Sequence, residues 1–203
     1  MRGEYHLQPI ILNAGCGASG PERLPQLFGT WRHIRVDIDA DARPDVVADI
    51  TDLSPFSDDF ADALWTSHCV EHLFQHQVGQ ALGEFLRVLK PDGFAVILVP
   101  DIQTIARYVA EDRMTEVLYD SPAGPITAHD VLYGHGRSVA EGNLHMAHKT
   151  AFTPSSIIAC MRESGFADMA VRRRSNLELV AIGCKTPRSD GNHLQGLLEA
   201  LAL

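Results

Sequence analysis

The chain has 203 residues, 45% apolar and 21% charged, a globular composition with enough apolar material for one core and too much for a disordered chain. Lysine and arginine total 17 against 26 acidic residues, for a net charge of −9, which argues against a general nucleic-acid binder, since phosphate contacts need a basic face. No apolar run approaches the roughly 20 residues that span a bilayer. The start of the chain lacks a signal-peptide layout, and the four cysteines (Cys16, Cys69, Cys160, Cys184) form no C-x-x-C pair. A reducing cytoplasmic location is therefore expected, without a disulfide framework or zinc ribbon.

In chain order, short apolar runs alternate with helical stretches, the pattern of an α/β protein with a parallel sheet. Strands are predicted at Ile10-Ile11-Leu12, His33 to Asp37, Asp45 to Asp49, Ala63 to Thr66 and Phe94 to Val99. Ser19 and Glu22 have capping-box spacing, which predicts a helix after the first strand. Between the fourth and fifth strands, Val78, Leu82, Phe85, Leu86 and Leu89 recur every three or four residues, predicting a helix that stops at Lys90-Pro91-Asp92-Gly93.

Residues 101–150 break the pattern. They offer one helix (Ile102 to Ala110), a breaker cluster from Ser121 to Pro125, and a stretch rich in histidine and glycine. A long insertion after a sheet strand is more often functional than idle. Thr153-Pro154 opens a further helix with Ile157, Ile158 and Met161 on its apolar face. Two strands follow, near Met169 to Arg173 and Leu177 to Gly183, joined at Ser175-Asn176 as an antiparallel hairpin. Residues 187–192 read as a linker, and 193–203 as a short amphipathic helix that docks on the body or on a partner.

The chemistry concentrates at strand ends. Asn13 to Gly20 follows the first strand, and Gly15, Gly17 and Gly20 match G-x-G-x-x-G, a nucleotide-binding corner when set between strand and helix. The absence of G-x-x-x-x-G-K-[ST] excludes a P-loop. Asp37 stands about 20 residues on, where a carboxylate accepts hydrogen bonds from both ribose hydroxyls. Asp39 and Asp41 are rivals for this task. Asp49, ending the third strand, suits an adenine amino group, and the two acids together separate single-nucleoside adenosyl ligands from the usual NAD pattern.

These motifs resemble the class I S-adenosylmethionine-dependent methyltransferases, in particular a short subgroup with the glycine motif found here as Leu12-Asn13-Ala14-Gly15-Cys16-Gly17. Val36-Asp37-Ile38-Asp39, Asp45 to Ile50 with Leu53 to Phe56, Ser67 to Leu73, Glu84 to Gly93, Val99-Pro100-Asp101, and His148 to Thr153 with Gly165-Phe166 continue the likeness in order. The resemblance implies a Rossmann-like, doubly wound, mostly parallel seven-stranded sheet, with a C-terminal antiparallel hairpin and a lid insertion after strand 5. It implies one methyltransferase domain over residues 1–186. The implied cofactor is S-adenosylmethionine, with S-adenosylhomocysteine as product, held by Asn13, Gly15, Cys16, Gly17, Asp37, Ile38, Asp49, Ile50 and Ser67. Many relatives carry a covering helix before the first strand. Few residues precede it here, so covering the site falls to residues 101–150.

Methyl transfer from a sulfonium needs mainly alignment and desolvation, plus a base where the acceptor carries a proton. His68, at the end of the fourth strand, is the first candidate base, and a histidine pKa near 6.5 suits that task. His145 and His148, three apart, are further candidates. Asp101 and His135 are candidate substrate contacts, with a helix N-cap as the alternative for Asp101. Glu71 and His72 are read as anchoring their loop. No metal is expected, because nothing close in sequence to His145 and His148 completes a ligand set. Arg172-Arg173-Arg174 is read as a solvated face, not a nucleic-acid site. The expected partner is a small-molecule, sugar or lipid-linked acceptor methylated on oxygen or nitrogen. A homodimer stays open. The rival readings are a non-catalytic cofactor-binding or interaction protein of the same fold, and an NAD-linked oxidoreductase, against which Asp49 and the final hairpin both argue.

Overall fold

The computed structural model describes residues 8–121, 123–188 and 192–201. The strands are β1 (Ile10–Ala14), β2 (Arg32–Asp37), β3 (Val46–Val47), β4 (Ala61–Ser67), β5 (Leu89–Pro100), β6 (Val117–Ser121), β7 (Gly124–Thr127), β8 (Met169–Arg173) and β9 (Glu178–Cys184). The α-helices are α1 (Gln75–Val88), α2 (Ile102–Ala110), α3 (Ala128–Tyr133), α4 (Gly136–Ala140), α5 (Pro154–Glu163) and α6 (His193–Ala200).

Seven strands make one sheet in the order β3-β2-β1-β4-β5-β9-β8, and β6 and β7 form a separate hairpin. Pairing is parallel from β3 to β5 and antiparallel at β9 and β8. The chain winds outward from β1 in one direction through β2 and β3, then in the other through β4 and β5. This places a topological switch point between β1 and β4, where open α/β sheets bind ligands at the carboxyl ends of their strands.

The central strands are apolar on both sides, as parallel strands covered by layers on each face must be. Leu12, Leu64, Ala95, Ile97, Leu179 and Ala181 point to one face. There α1 contributes Val78, Ala81, Leu82, Phe85 and Val88, and α5 contributes Ile157 and Met161. Both predicted helices form. Leu89 already belongs to β5, and residues 90–93 loop out where the register shifts between Ala61 and Ala63, which matches the predicted turn. Thr153 caps α5 in a reciprocal box with Ser156.

Ile11, Ala63, Trp65, Val96, Leu98, Val180 and Ile182 point to the other face. Phe28 and Trp31 cover part of it, edge to face at 5.1 Å. The helix predicted after the glycine loop is absent: Pro21–Arg23 and Gln26–Phe28 are two 3-10 turns, and Gly20, not Ser19, sits at the cap. Pro25 is the cause. Its ring holds Leu24 extended, at φ −81° and ψ 152°, and no helix can run through that step. α6 supplies cover instead, burying Leu198 and Leu201 in the same cluster, so the predicted terminal helix docks on the body. Residues 189–191 of the expected linker and the last two residues of that helix lie outside the described residues.

The insertion holds more structure than the one predicted helix. It forms α2, the β6–β7 hairpin, α3 and α4, with a small core of Ile105, Ile126, Ala128 and Val131. The breaker cluster is the hairpin turn, with Pro122 outside the described residues. β3 is shorter than predicted: only Val46 and Val47 pair with β2, flanked by the Asp45 and Ala48 amides, which donate to the Arg35 and Asp37 carbonyls at 2.9 Å each. No described helix is long and apolar enough to cross a membrane.

Candidate functional site

The carboxyl ends of β1, β2 and β4 open on one cavity of about 590 Å³, within the ~300–1,000 Å³ of small-molecule sites. Gly15, Gly17, Asp37, Ile38, Asp49, Ile50, His68, Cys69, His72, His145, Met146 and Lys149 all line it. Expected residues from four separate motifs therefore meet on one surface.

The glycine loop is bound to β2: the Gly15 and Cys16 amides both donate to the Val36 carbonyl, at 2.9 and 3.1 Å. Gly15 has φ +72°, and a Cβ there would stand 2.2 Å from the Cys69 sulfur, so this glycine answers to the β4 loop packed behind it. Gly17 has φ +52° and nothing within 4 Å of where a Cβ would stand. Its backbone faces open room, as a loop that cradles a ligand requires. Asp37 is 9% exposed. One of its oxygens accepts from the Gly17 amide (2.7 Å) and the other from the Asp39 amide (2.9 Å), which aims the carboxylate across the loop. Asp39 caps the turn Ala40–Ala42 by accepting from the Asp41 amide. Asp49 is held by the Thr51 amide and hydroxyl, both at 2.8 Å on one oxygen.

Three expected cofactor residues do not line the cavity. Asn13 is buried within β1, in register with Arg35 and Trp65. Cys16 is buried beneath the loop, its thiol donating to the Gly17 carbonyl at 3.3 Å. Burial, then the Asp37 charge, pushes that thiol's pKa up. Ser67 ends β4 opposite Leu98.

His68 is where expected, at the end of β4, and adopts φ +52°, a conformation uncommon outside glycine. Its Nε2 meets Glu178 at 2.8 Å and its Nδ1 meets Glu71 at 3.2 Å. Burial opposes a charged ring, but the two carboxylates outweigh it and raise the pKa to about 10. Held between Glu71 and Glu178, His68 forms a bridge between β4 and β9 with both ring nitrogens engaged, an arrangement that favours the protonated ring over a free base. Glu178 had no sequence signal. Its place follows from the antiparallel register that sets it opposite Pro100.

The insertion returns to the site through residues 143–150. The Lys149 and Thr150 amides both donate to the Glu71 carbonyl, at 2.8 and 3.1 Å, and Lys149 lies over the Phe74 ring. His145 and His148 share no helix, because the 3-10 turn Leu144–Met146 ends between them. His145 lines the cavity, whereas His148 stacks edge-on against His72 with ring centres 4.8 Å apart. Burial lowers the His148 pKa against the pull of Glu71.

The two expected substrate contacts are placed elsewhere. Asp101 is 2% exposed; it caps α2 through the Gln103 and Thr104 amides, accepts from the Thr104 hydroxyl at 2.6 Å, and pairs with Arg173 at 2.8 Å. Its acceptor capacity is spent on holding α2 and β8 together, so the helix-cap alternative is the observed one. His135 precedes α4 and bonds the Ser138 hydroxyl at 2.8 Å, away from the cavity lining. Of the basic run, Arg173 pairs with Asp101 and Arg174 with Glu178, so each of these two cations is engaged by a carboxylate while the Arg173 side chain stays half exposed.

The profile of a methyltransferase domain family matches residues 12–97, the stretch from the glycine loop through β5. No curated protein matches the chain. Among solved structures, a protein of Pyrococcus horikoshii OT3 aligns with TM-score 0.60 and 16% identity, over 89% of this chain and 84% of that one. The 1,6-didemethyltoxoflavin-N1-methyltransferase of Burkholderia thailandensis, solved with its substrate and S-adenosylhomocysteine, aligns with TM-score 0.54 and 17% identity, over 89% and 72%. A SAM-dependent methyltransferase of Archaeoglobus fulgidus aligns with TM-score 0.56 and 16% identity, over 87% and 86%. Residues 12–97 thus resemble a methyltransferase domain, and the chain shares the Rossmann-like fold of these solved structures.

Proposed function

We propose that the protein binds S-adenosylmethionine across Gly15, Gly17, Asp37, Ile38, Asp49 and Ile50, and moves its methyl group to an oxygen or nitrogen of a small acceptor. The observation that carries this reading is that one cavity is lined by the glycine loop, by Asp37 and Asp49, and by His68, His72 and His145. The residues fit the cofactor: Gly17 leaves open room against its backbone, and Asp37, Asp39, Asp41 and Asp49 line the same cavity, a setting that favours a cation.

When bound, the cofactor supplies a methyl on a cationic sulfur whose leaving group is a neutral thioether. An acceptor that carries a proton would need a base beside it. The protein aligns the partners and excludes water. Residues 143–149 wall the acceptor end, and His145 is the histidine on that wall proposed to take the proton. The free state of all four cysteines supports a reducing cytoplasm as the working compartment.

Calorimetric titration with S-adenosylhomocysteine and with NADH tests the reading. We expect binding of the first and none of the second, with Asp37→Asn weakening it at least about tenfold, or ~1.4 kcal/mol. Binding of NADH in place of the sulfur ligand overturns it. Transfer of labelled methyl from S-adenosylmethionine across a set of phenols, sugars and amines then identifies the acceptor.

A further inference from the structure

We propose that Glu71, His72 and His148 form a binding site for a divalent transition metal ion, zinc by its donor set, at the acceptor end of the cavity. One ligand atom of each lies within 4.8 Å of the others. The three come from the turn after β4 and from the returning end of the insertion, which the Lys149 and Thr150 amides fasten to Glu71.

Both imidazoles are arranged as metal ligands are. His72 directs Nδ1 at the Ala147 carbonyl (3.1 Å) and His148 directs Nδ1 at the Val131 carbonyl (2.9 Å). A carbonyl only accepts, so each Nδ1 carries the proton and each Nε2 keeps its lone pair. Metal-binding histidines are oriented by this same outer bond.

Glu71 supplies the independent sign. It is 1% exposed, His68 holds one of its oxygens, and the other is buried with no hydrogen-bond partner. A buried, unpaired carboxylate oxygen is costly, and a cation beside it removes that cost. Two imidazoles and a carboxylate with a position left open suit zinc. Donors on a tetrahedral zinc stand roughly 3.4 Å apart at a bond length of about 2.1 Å, so binding draws the three side chains inward by about an ångström.

His72 lines the cavity, so the site borders the place where an acceptor would sit. A metal there lowers the pKa of a coordinated hydroxyl and favours an oxygen acceptor. That role rests on the methyl-transfer reading; metal binding itself does not.

The test uses the full chain stripped with a chelator, titrated with zinc by calorimetry and with cobalt(II) by its visible spectrum. We expect one zinc per chain and a tetrahedral cobalt spectrum. His72→Ala, His148→Ala and Glu71→Gln should each weaken zinc at least tenfold, and the exposed His129→Ala should leave it unchanged. His148→Gln and a far-ultraviolet dichroism spectrum of each variant separate lost ligation from lost fold. No stoichiometric zinc, or zinc held equally by folded His148→Ala and His148→Gln, overturns the site. S-adenosylhomocysteine is titrated in parallel: zinc binding without it leaves the metal site standing and removes the methyl-transfer reading, and the converse removes only the site.

Discussion

At the residue scale, His68 shows how position and environment assign different tasks. A histidine at the end of the fourth strand, on the ligand edge of the sheet, reads as a base. Glu71 and Glu178 instead make it a cation, with a pKa of about 10. The sign of the consequence is definite. The folded pKa lies above the value near 6.5 of an unfolded chain, so the stabilisation is complete below pH 6.5 and is lost as pH rises through about 10. In metal-free protein, the urea midpoint should therefore fall between pH 7 and 10, and His68→Gln should flatten that fall. A variant whose midpoint follows pH as the wild type does would show that the bridge does not form. The placement of Asp37 and Asp49 on the cavity was legible because each lies at or just beyond a strand end, beside its own turn. Glu178 was not, because its partner stands 110 positions away in the chain.

At the element scale, the helices with clean periodicity and caps formed where the sequence predicted them. α1 follows its apolar stripe, and α5 begins at Thr153-Pro154. The segment after the glycine loop did not follow, since a two-residue capping signal is weaker than Pro25 in the second turn of the expected helix. Asp101 is the clearest case of an element-level role mistaken for chemistry. It lies beside the site in sequence, but caps α2 and ties it to β8 through Arg173. Asp101→Ala should cost about 1–3 kcal/mol in urea unfolding, from a lost cap and unpaired donors, whereas Asp101→Asn keeps a cap oxygen and should cost less. Equal losses in the two variants would count against the capping account.

At the scale of the whole molecule, α6 completes a layer that the 3-10 turns after the glycine loop leave thin. Leu198 is 5% exposed in a cluster with Phe28, Trp65 and Phe94. Leu198→Ala should cost about 2–5 kcal/mol, the range for a buried leucine. A change within experimental error in the urea midpoint would mean that α6 is not seated on the sheet. The insertion works at the same scale. Its small core packs with Leu177 of the final hairpin, and its last residues reach back to Glu71 and line the cavity.

The strands of the main sheet, α1, α2 and α5, the glycine loop and the final hairpin were legible in the sequence, since periodicity, caps and turn residues act over a few neighbours and leave a local record; the turns after the glycine loop and most of the insertion were not. Tertiary structure decided which polar side chains meet: His68 with Glu71 and Glu178, Asp101 with Arg173, and His72 with His148. Those pairings depend on strand register and on the path of a fifty-residue insertion, and no short stretch of sequence encodes the distance between side chains that folding alone brings together.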